Sequence, residues 1–370
     1  MKFARTIIWG LCAAGVMALG GATVTLAKSL GHFNQKGNIL IVDQFNNRVI
    51  EIDTNSLAIV WQFGDGGSVA GPTTILGPRD AERVGSLTYI ACGGVPPGGE
   101  PGCPTGCPDN RVIAVNKKGR IVWQYGQAGV TGSGTNELNN PVSIRVLPHR
   151  HFLITDRGNH RVIEVSRSKN NIVWQYGTTG VSGSASNQLN NPACTERRGN
   201  NNTVIADQGN NRVIEVNRRA MVLAQLDALA DATSLDGPAS ACHLPNRTLI
   251  ADSLNNRIVE VDTESSNRFE YVTSTRPGSV ANPNPTRAVR LKKGNTLIAD
   301  QFNHQIIEIN PSGDVVFAFG TIGVSGSSSN ELNTPTDAKV IGDFTGITSP
   351  KGGGGGGFGG GFGGGGFGGF

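Results

Sequence analysis

The chain has 370 residues, 37% of them hydrophobic and only 16% charged, and 53 are glycine. That length can bury a sizeable core, and so much glycine with so little charge excludes a helical protein and favours turn-rich all-β structure. A formal net charge of +4 gives no general attraction to nucleic acid.

The first segment reads as a leader. Lys2 and Arg5 precede an apolar run from Thr6 to Leu19 that contains no acid, and small residues follow, with cleavage positions after Ala22 or Ala27. This is the layout of a secretory signal peptide over residues 1–27. An uncleaved anchor is the alternative, since a membrane span takes about 20 apolar residues. Cys12 follows Leu11, which does not suit lipoprotein processing. Cleavage removes two basic residues and no acid, leaving a net charge of +2. A secreted, periplasmic or cell-surface location is expected, with membrane contact only if the leader is retained. Export permits disulfides, and the five remaining cysteines (Cys92, Cys103, Cys107, Cys194 and Cys242) are an odd set.

Internal repeats fill residues 28–342. The unit ILIVDQFNNRVIEID (39–53) recurs as FLITDRGNHRVIEVS (152–166), TVIADQGNNRVIEVN (203–217), TLIADSLNNRIVEVD (248–262) and TLIADQFNHQIIEIN (296–310). A sixth copy is split between YIAC (89–92) and NRVIAVN (110–116). Each unit predicts a hairpin. Its first strand is apolar on both faces, as a strand between stacked sheets must be. The Asn-Asn or Asn-His pair suits a turn because Asn tolerates positive φ, and the preceding Asp is expected to bond the turn amides. A third strand follows at IVWQF (59–63), IVWQY (121–125), IVWQY (172–176) and VVFAF (315–319). Then comes a Gly/Ser/Asn loop and a strand led by Pro78, Pro141, Pro192, Pro238, Pro285 or Pro335. Proline lacks a donor and belongs on an edge, which the innermost strand of a propeller blade is. Six repeats of four strands predict an all-β, six-bladed β-propeller with four-stranded antiparallel blades.

The first hairpin lacks a Pro-led strand before it, and a surplus one, PTDAKVI (335–341), ends the repeats. It is expected to complete the first blade and close the ring. Trp61, Trp123 and Trp174 share one outer-strand position, where the fourth blade has Ala224 and the sixth Phe317; the fifth aligns near Phe269. The fourth blade is therefore expected to be the softest. Residues 343–370 are expected to be a disordered tail. From Gly352 onward only Phe358, Phe362, Phe367 and Phe370 interrupt glycine, so the tail is either an inert spacer or a self-associating segment.

The repeats resemble NHL repeats. The likeness rests on GSGTNELNNP (132–141) with ITDRGNHRVIEV (154–165), and on GSASNQLNNP (183–192) with IADQGNNRVIEV (205–216). It implies a six-bladed propeller that binds proteins, RNA or small molecules, with a few metal-using lyases or hydrolases among its relatives. The IVWQYG strand also looks like the outer strand of quinoprotein-type propellers. Those usually have eight blades, and half the blades here lack the Trp, which puts a quinone cofactor in doubt.

A residue repeated in most blades is explained by the fold, which removes Asp43, Asp156, Asp207, Asp252 and Asp300 from any catalytic list. Counting from the prolines, the second position on holds Asp80, Ser143, Cys194, Ser240, Arg287 and Asp337. The fourth holds Glu82, Arg145, Glu196, Cys242, Val289 and Lys339. These polar positions are expected to face the central channel, with His243 and Arg290 one step further, while the small or apolar third position packs between blades. The candidate ligand residues are thus Asp80, Glu82, Arg145, Glu196, Cys242, His243, Arg290 and Lys339, read in the first instance as a lining of self-paired ions. Acids interleaved with Arg and Lys do not make a metal site, and Cys194, Cys242 and His243 fall one short of a closed zinc set. No cofactor is expected; calcium or zinc are the candidates if one is held.

The insertion GGVPPGGEPGCPTGCP (93–108) lies on the same face as the long loops 126–140, 177–191 and 320–334, where binding commonly resides. A local Cys103–Cys107 disulfide is expected to stiffen it. The leading expectation is an exported binding or scaffold propeller for a protein, polysaccharide or small ligand on this face. Its rivals are a metal- or quinone-dependent enzyme of lyase, lactonase or dehydrogenase type at the channel mouth, and a matrix component that self-associates through the tail.

Overall fold

Chains of Ile and Val flanked by Asn turns form strands because branched side chains fill a pleated, doubly covered surface. In the computed structural model, which describes residues 32–350, they do so six times over. The leader and the Gly/Phe-rich stretch from 351 lie outside the described residues. Six four-stranded sheets form, and every strand pairing within them is antiparallel. The first blade runs outward from Pro335–Val340 through Ile39–Asp43 and Arg48–Ile52 to Ile59–Phe63. Its innermost strand is the last of the chain, with Ala338 opposite Ile41 and Val340 opposite Ile39. The ring is closed as the surplus Pro-led strand predicts.

The innermost strands differ from expectation at their start. In blades four and six the ladder begins at Cys194 and Arg287, two residues past Pro192 and Pro285. In blades two, three and five the proline pairs, but the register shifts directly after it, as between Pro238 and Ser240. A residue without an N–H opens the strand as a bulge, and the bulge re-aims the side chains that follow.

The turns form as predicted, with one correction. The second residue of each Asn pair adopts the left-handed conformation, as at Asn47 (φ 47°), His160 (φ 53°) and His304 (φ 54°). The corner Asp does not bond the turn's backbone amides. One oxygen of Asp156 accepts the backbone N–H of Asn139 from the preceding loop at 2.8 Å; the other accepts from the side chains of Asn159 and Arg161 at 2.7 and 2.8 Å. Asp43, Asp207 and Asp252 repeat the arrangement, each pairing with the Arg five residues on. In blade two Asp109, directly after the insertion, pairs with Arg111. In blade six Gln305 replaces the arginine, and Arg276 from the preceding loop reaches Asp300 instead. Each Asp thus ties a turn to the loop that delivers its blade.

Outer strands end on Gly64, Gly126, Gly177 and Gly320 in four blades, all at positive φ. A Cβ there would lie 2.1–2.4 Å from the backbone oxygen of Asn47, Asn110, His160 or His304 across the hairpin, so only glycine fits. The register settles the fifth blade's alignment. Phe269 stands opposite Glu260 as Trp61 stands opposite Glu51, Trp174 opposite Glu164 and Ala224 opposite Glu215. Burying a Trp removes about 150–250 Å² from water, roughly 4–6 kcal/mol gross as an upper bound. Blade four forgoes this, and Val222–Gln225 of its outer strand are exposed.

The packed body extends past 342. Residues 343–350, assigned by sequence to the tail, cross the narrow end of the channel, with Ile347 and Thr348 buried.

Candidate functional site

The candidate site is the central funnel. It opens on the looped face, has a volume of about 400 Å³, and is lined by innermost-strand residues and by the turns that follow the corner aspartates. Its rim carries Phe45, Pro96, Leu254 and Phe302, and its wall Arg79, Arg157, Ser143 and Ser240.

The floor is a ring of ions. Lys339 Nζ donates to Asp80 at 2.6 Å, Arg145 Nη1 to the other Asp80 oxygen at 2.5 Å, and Arg145 Nε to Glu196 at 2.7 Å. Arg287 Nη2 donates to the same Glu196 oxygen at 2.7 Å, Arg287 lies 3.5 Å from Asp337, and Asp337 pairs with Lys339. Three cations thus alternate with three carboxyls around the axis, drawn from blades one, two, three, four and six. All six side chains are buried. Burial works to raise the Asp80 carboxyl, and Arg145, Lys339 and Arg287 outweigh it and hold it well below its usual range. Glu196 is likewise lowered by Arg145 and Arg287 against the pull of burial.

Below the ring Thr348 donates its N–H and Oγ1–H to Glu196 Oε2 at 2.8 and 2.6 Å, and its Oγ1 accepts from Arg197 N at 2.8 Å. Ring and strap together close the lower end, so the funnel is blind.

Glu82 belongs to the axis but not to the ring. Its Oε2 accepts from Val146 N at 2.9 Å, and its Oε1 has no partner. Burial pushes this carboxyl up to about 8, so it is mostly neutral at pH 7.

Of the eight residues predicted to face the channel, Asp80, Arg145, Glu196 and Lys339 meet in the ring, Glu82 accepts from Val146 N, and Cys242 sits in an apolar cluster with Leu244 and Ile258. His243 and Arg290 turn the other way. They sit one position beyond the axial set, and a single step along a strand turns the side chain to the other face. They point between blades, toward a Glu on the preceding blade. Arg290 pairs with Glu260; Arg83 and Arg197, at the same position, pair with Glu51 and Glu164. His243 Nε2 meets Arg198 at 2.7 Å, and Arg198 in turn pairs with Glu215. Burial and then Arg198 lower the His243 pKa. Where the preceding blade has Ala114 in place of Glu, the matching residue is Val146, and the two join an apolar cluster with Tyr89 and Phe152.

The three sulfur and nitrogen candidates for zinc do not converge. Cys194 Sγ accepts from Arg287 Nη1 at 2.7 Å, the Cys242 thiol donates to Ala288 O at 3.3 Å, and His243 faces away. Burial pushes the Cys242 thiol up to about 12, which disfavours a thiolate ligand. Among the described residues no group of three or more His, Cys, Asp or Glu is arranged to hold a metal ion.

Cys103 and Cys107 are joined by a disulfide with Cα atoms 5.4 Å apart, and Cys92 is a free, buried thiol. The insertion folds down onto the loop between blades one and two. Val95 and Cys103 pack on Leu76, and Glu100 accepts from Asn47 at 2.7 Å. Pro96 reaches the funnel rim.

Arg79 and Arg157 were not singled out by sequence, yet the signal was present. The position after each proline reads Arg79, Val142, Ala193, Ala239, Thr286 and Thr336; the position after each full corner Asp reads Gln44, Arg157, Gln208, Ser253 and Gln301. Each arginine is the one cation in its series.

A family model described as NHL repeat matches residues 138–163, the inner two strands of blade three and the start of the next. No curated protein matches the chain. A protein of unknown function from Bacteroides caccae superposes with a TM-score of 0.55 at 14% sequence identity, over 78% of this chain and 97% of that one. A virginiamycin B lyase from Staphylococcus aureus superposes with a TM-score of 0.46 at 13% identity, over 79% of this chain and 87% of that one. The first likeness supports the fold alone, and the second is too distant to bear on this chain. The chain is thus a six-bladed β-propeller whose third blade matches the NHL repeat.

Proposed function

We propose that the chain is an exported binding or scaffold propeller that takes a ligand at the mouth of its funnel, on the looped face. One observation carries this reading: a blind cavity of about 400 Å³ whose floor ions are paired with one another, with Thr348 bonded to Glu196 beneath them. The ring's carboxylates and cations are tied to one another, whereas the rim above them is apolar and the wall polar, the usual make-up of a small-ligand site. NHL propellers generally mediate interactions, in keeping with a binding role. Export rests on the leader over residues 1–27, and self-association would rest on the Gly/Phe tail.

Native mass spectrometry of the secreted chain tests both parts. The expected result is a mass lacking the leader, together with a noncovalent adduct that the funnel-filling substitution Ser143→Trp removes. An intact leader refutes export. An adduct indifferent to Ser143→Trp refutes the funnel.

A further inference from the structure

Every ion on the funnel floor has its counter-ion, but two cations on the wall do not. Arg79 and Arg157 line the same cavity, and neither forms an ion pair with any described residue. Arg157 Nη1 donates to Asn191 O at 3.0 Å and to Gln208 Oε1 at 2.7 Å. With its amide turned to suit, Gln44 accepts from Arg79 Nε and Nη2 at 3.2 Å. Neutral oxygens therefore orient both guanidiniums without neutralising them. Burial lowers each to about 10, and for Arg79 the nearby charge of Arg157 adds to this. Two partly desolvated like charges facing one cavity are an arrangement that an anion relieves.

A second observation points into the same space. Ser143, 1% exposed, lines the cavity, and its Oγ has no hydrogen-bond partner. A buried hydroxyl left unpaired is uncommon and calls for a partner. Guanidinium planes match carboxylate and phosphate oxygens in a two-pronged fit, while Phe45, Leu254 and Phe302 at the rim offer apolar surface. The volume is near the lower end of the roughly 300–1,000 Å³ typical of small-molecule sites.

We propose that Arg79 and Arg157, with Ser143 Oγ on the same funnel wall, form a binding site for a small organic dianion that carries an apolar body. Two carboxylates or one phosphate monoester share this chemistry. The inference rests on the funnel being the binding site and adds the class of ligand.

Isothermal titration of the full secreted chain at low ionic strength and pH 7 tests it, with phthalate, phenyl phosphate and uncharged dimethyl phthalate as probes. The expected result is binding of phthalate or phenyl phosphate, no binding of dimethyl phthalate, and at least tenfold weakening by either Arg79→Gln or Arg157→Gln. Which dianion binds distinguishes a carboxylate pair from a phosphate monoester. Because neither arginine sits in an ion pair, both variants are expected to melt at or above the parent temperature without ligand, and Arg79→Lys to retain part of the affinity. The inference is overturned if neither dianion binds at millimolar concentration, or if dimethyl phthalate binds as well as phthalate. Binding that Ser143→Trp abolishes but both arginine variants leave unchanged removes the dianion and keeps the funnel. Binding that survives Ser143→Trp removes both.

Discussion

Substituting Glu82 by Gln should stabilise the propeller increasingly as pH rises. Glu82 is 1% exposed, one of its oxygens is unpartnered, and burial pushes its carboxyl up to about 8 from an ordinary 4.5. Between those values the folded chain holds a proton that the unfolded chain releases, so this group's contribution is intact below pH 4.5 and lost as pH rises toward 8. The slope is about 1.4 kcal/mol per pH unit, which amounts to about 3 kcal/mol by pH 7 and roughly 5 kcal/mol above pH 8. Gln keeps the acceptor for Val146 N and cannot ionise, so it escapes the loss. Asp300, raised by burial to about 6, acts with the same sign, and Asp80 and Glu196, both lowered, act oppositely. The difference between parent and variant therefore isolates Glu82. Urea unfolding followed by fluorescence of Trp61, Trp123 and Trp174 at pH 5, 7 and 9 measures it. The expected advantage of Glu82→Gln is small at pH 5, grows through pH 7 and levels off above pH 8. An advantage that stays flat from pH 5 to 9, or a variant less stable at pH 9, refutes the reasoning.

Arg145→Met breaks the ionic floor at its most connected member. Losing one partner of a buried pair typically costs 3–5 kcal/mol; here Asp80 keeps Lys339 and Glu196 keeps Arg287, so a loss of about 3 kcal/mol in urea unfolding is expected. Amide exchange should begin in the outer strand Val222–Leu226 of blade four, where Ala224 stands in the aromatic position. Earliest exchange in Arg48–Ile52 would contradict that. Replacing Cys103 and Cys107 by Ser should open residues 93–108 to proteolysis while leaving the unfolding midpoint of the ring unchanged, because the bridge closes a loop of only four residues' separation.

Blade number and ring closure were legible in the sequence because Pro, Asp and Asn mark the same corner in each repeat, and each has a backbone reason to be there. The axial set was legible for the same reason: positions counted from a fixed proline keep their parity. That parity also argued against His243 and Arg290, which share the face of Ala241 and Ala288, a face already assigned to packing between blades. The role of the corner Asp was misplaced because its partner amide lies in the preceding loop, 17 residues away at Asp156 and 290 at Asp43. The strap over residues 343–350 was not legible, since it belongs to no repeat and is held by contacts that occur once, Thr348 to Glu196, Asp343 to Lys292 N and Ile347 in the core. Arg79 and Arg157 were not legible because neither lies at the alternate, axis-facing positions of an inner strand. Arg79 sits on the bulge after Pro78, and Arg157 sits in a turn.

Crystals of the chain soaked in selenate and measured at the selenium edge test the account most directly. A blind funnel with two unneutralised guanidiniums on its wall predicts the strongest anomalous peak above the ionic floor, within hydrogen-bond reach of Arg79 and Arg157. A strongest peak on the opposite face, or an empty funnel with selenate bound elsewhere, would contradict it.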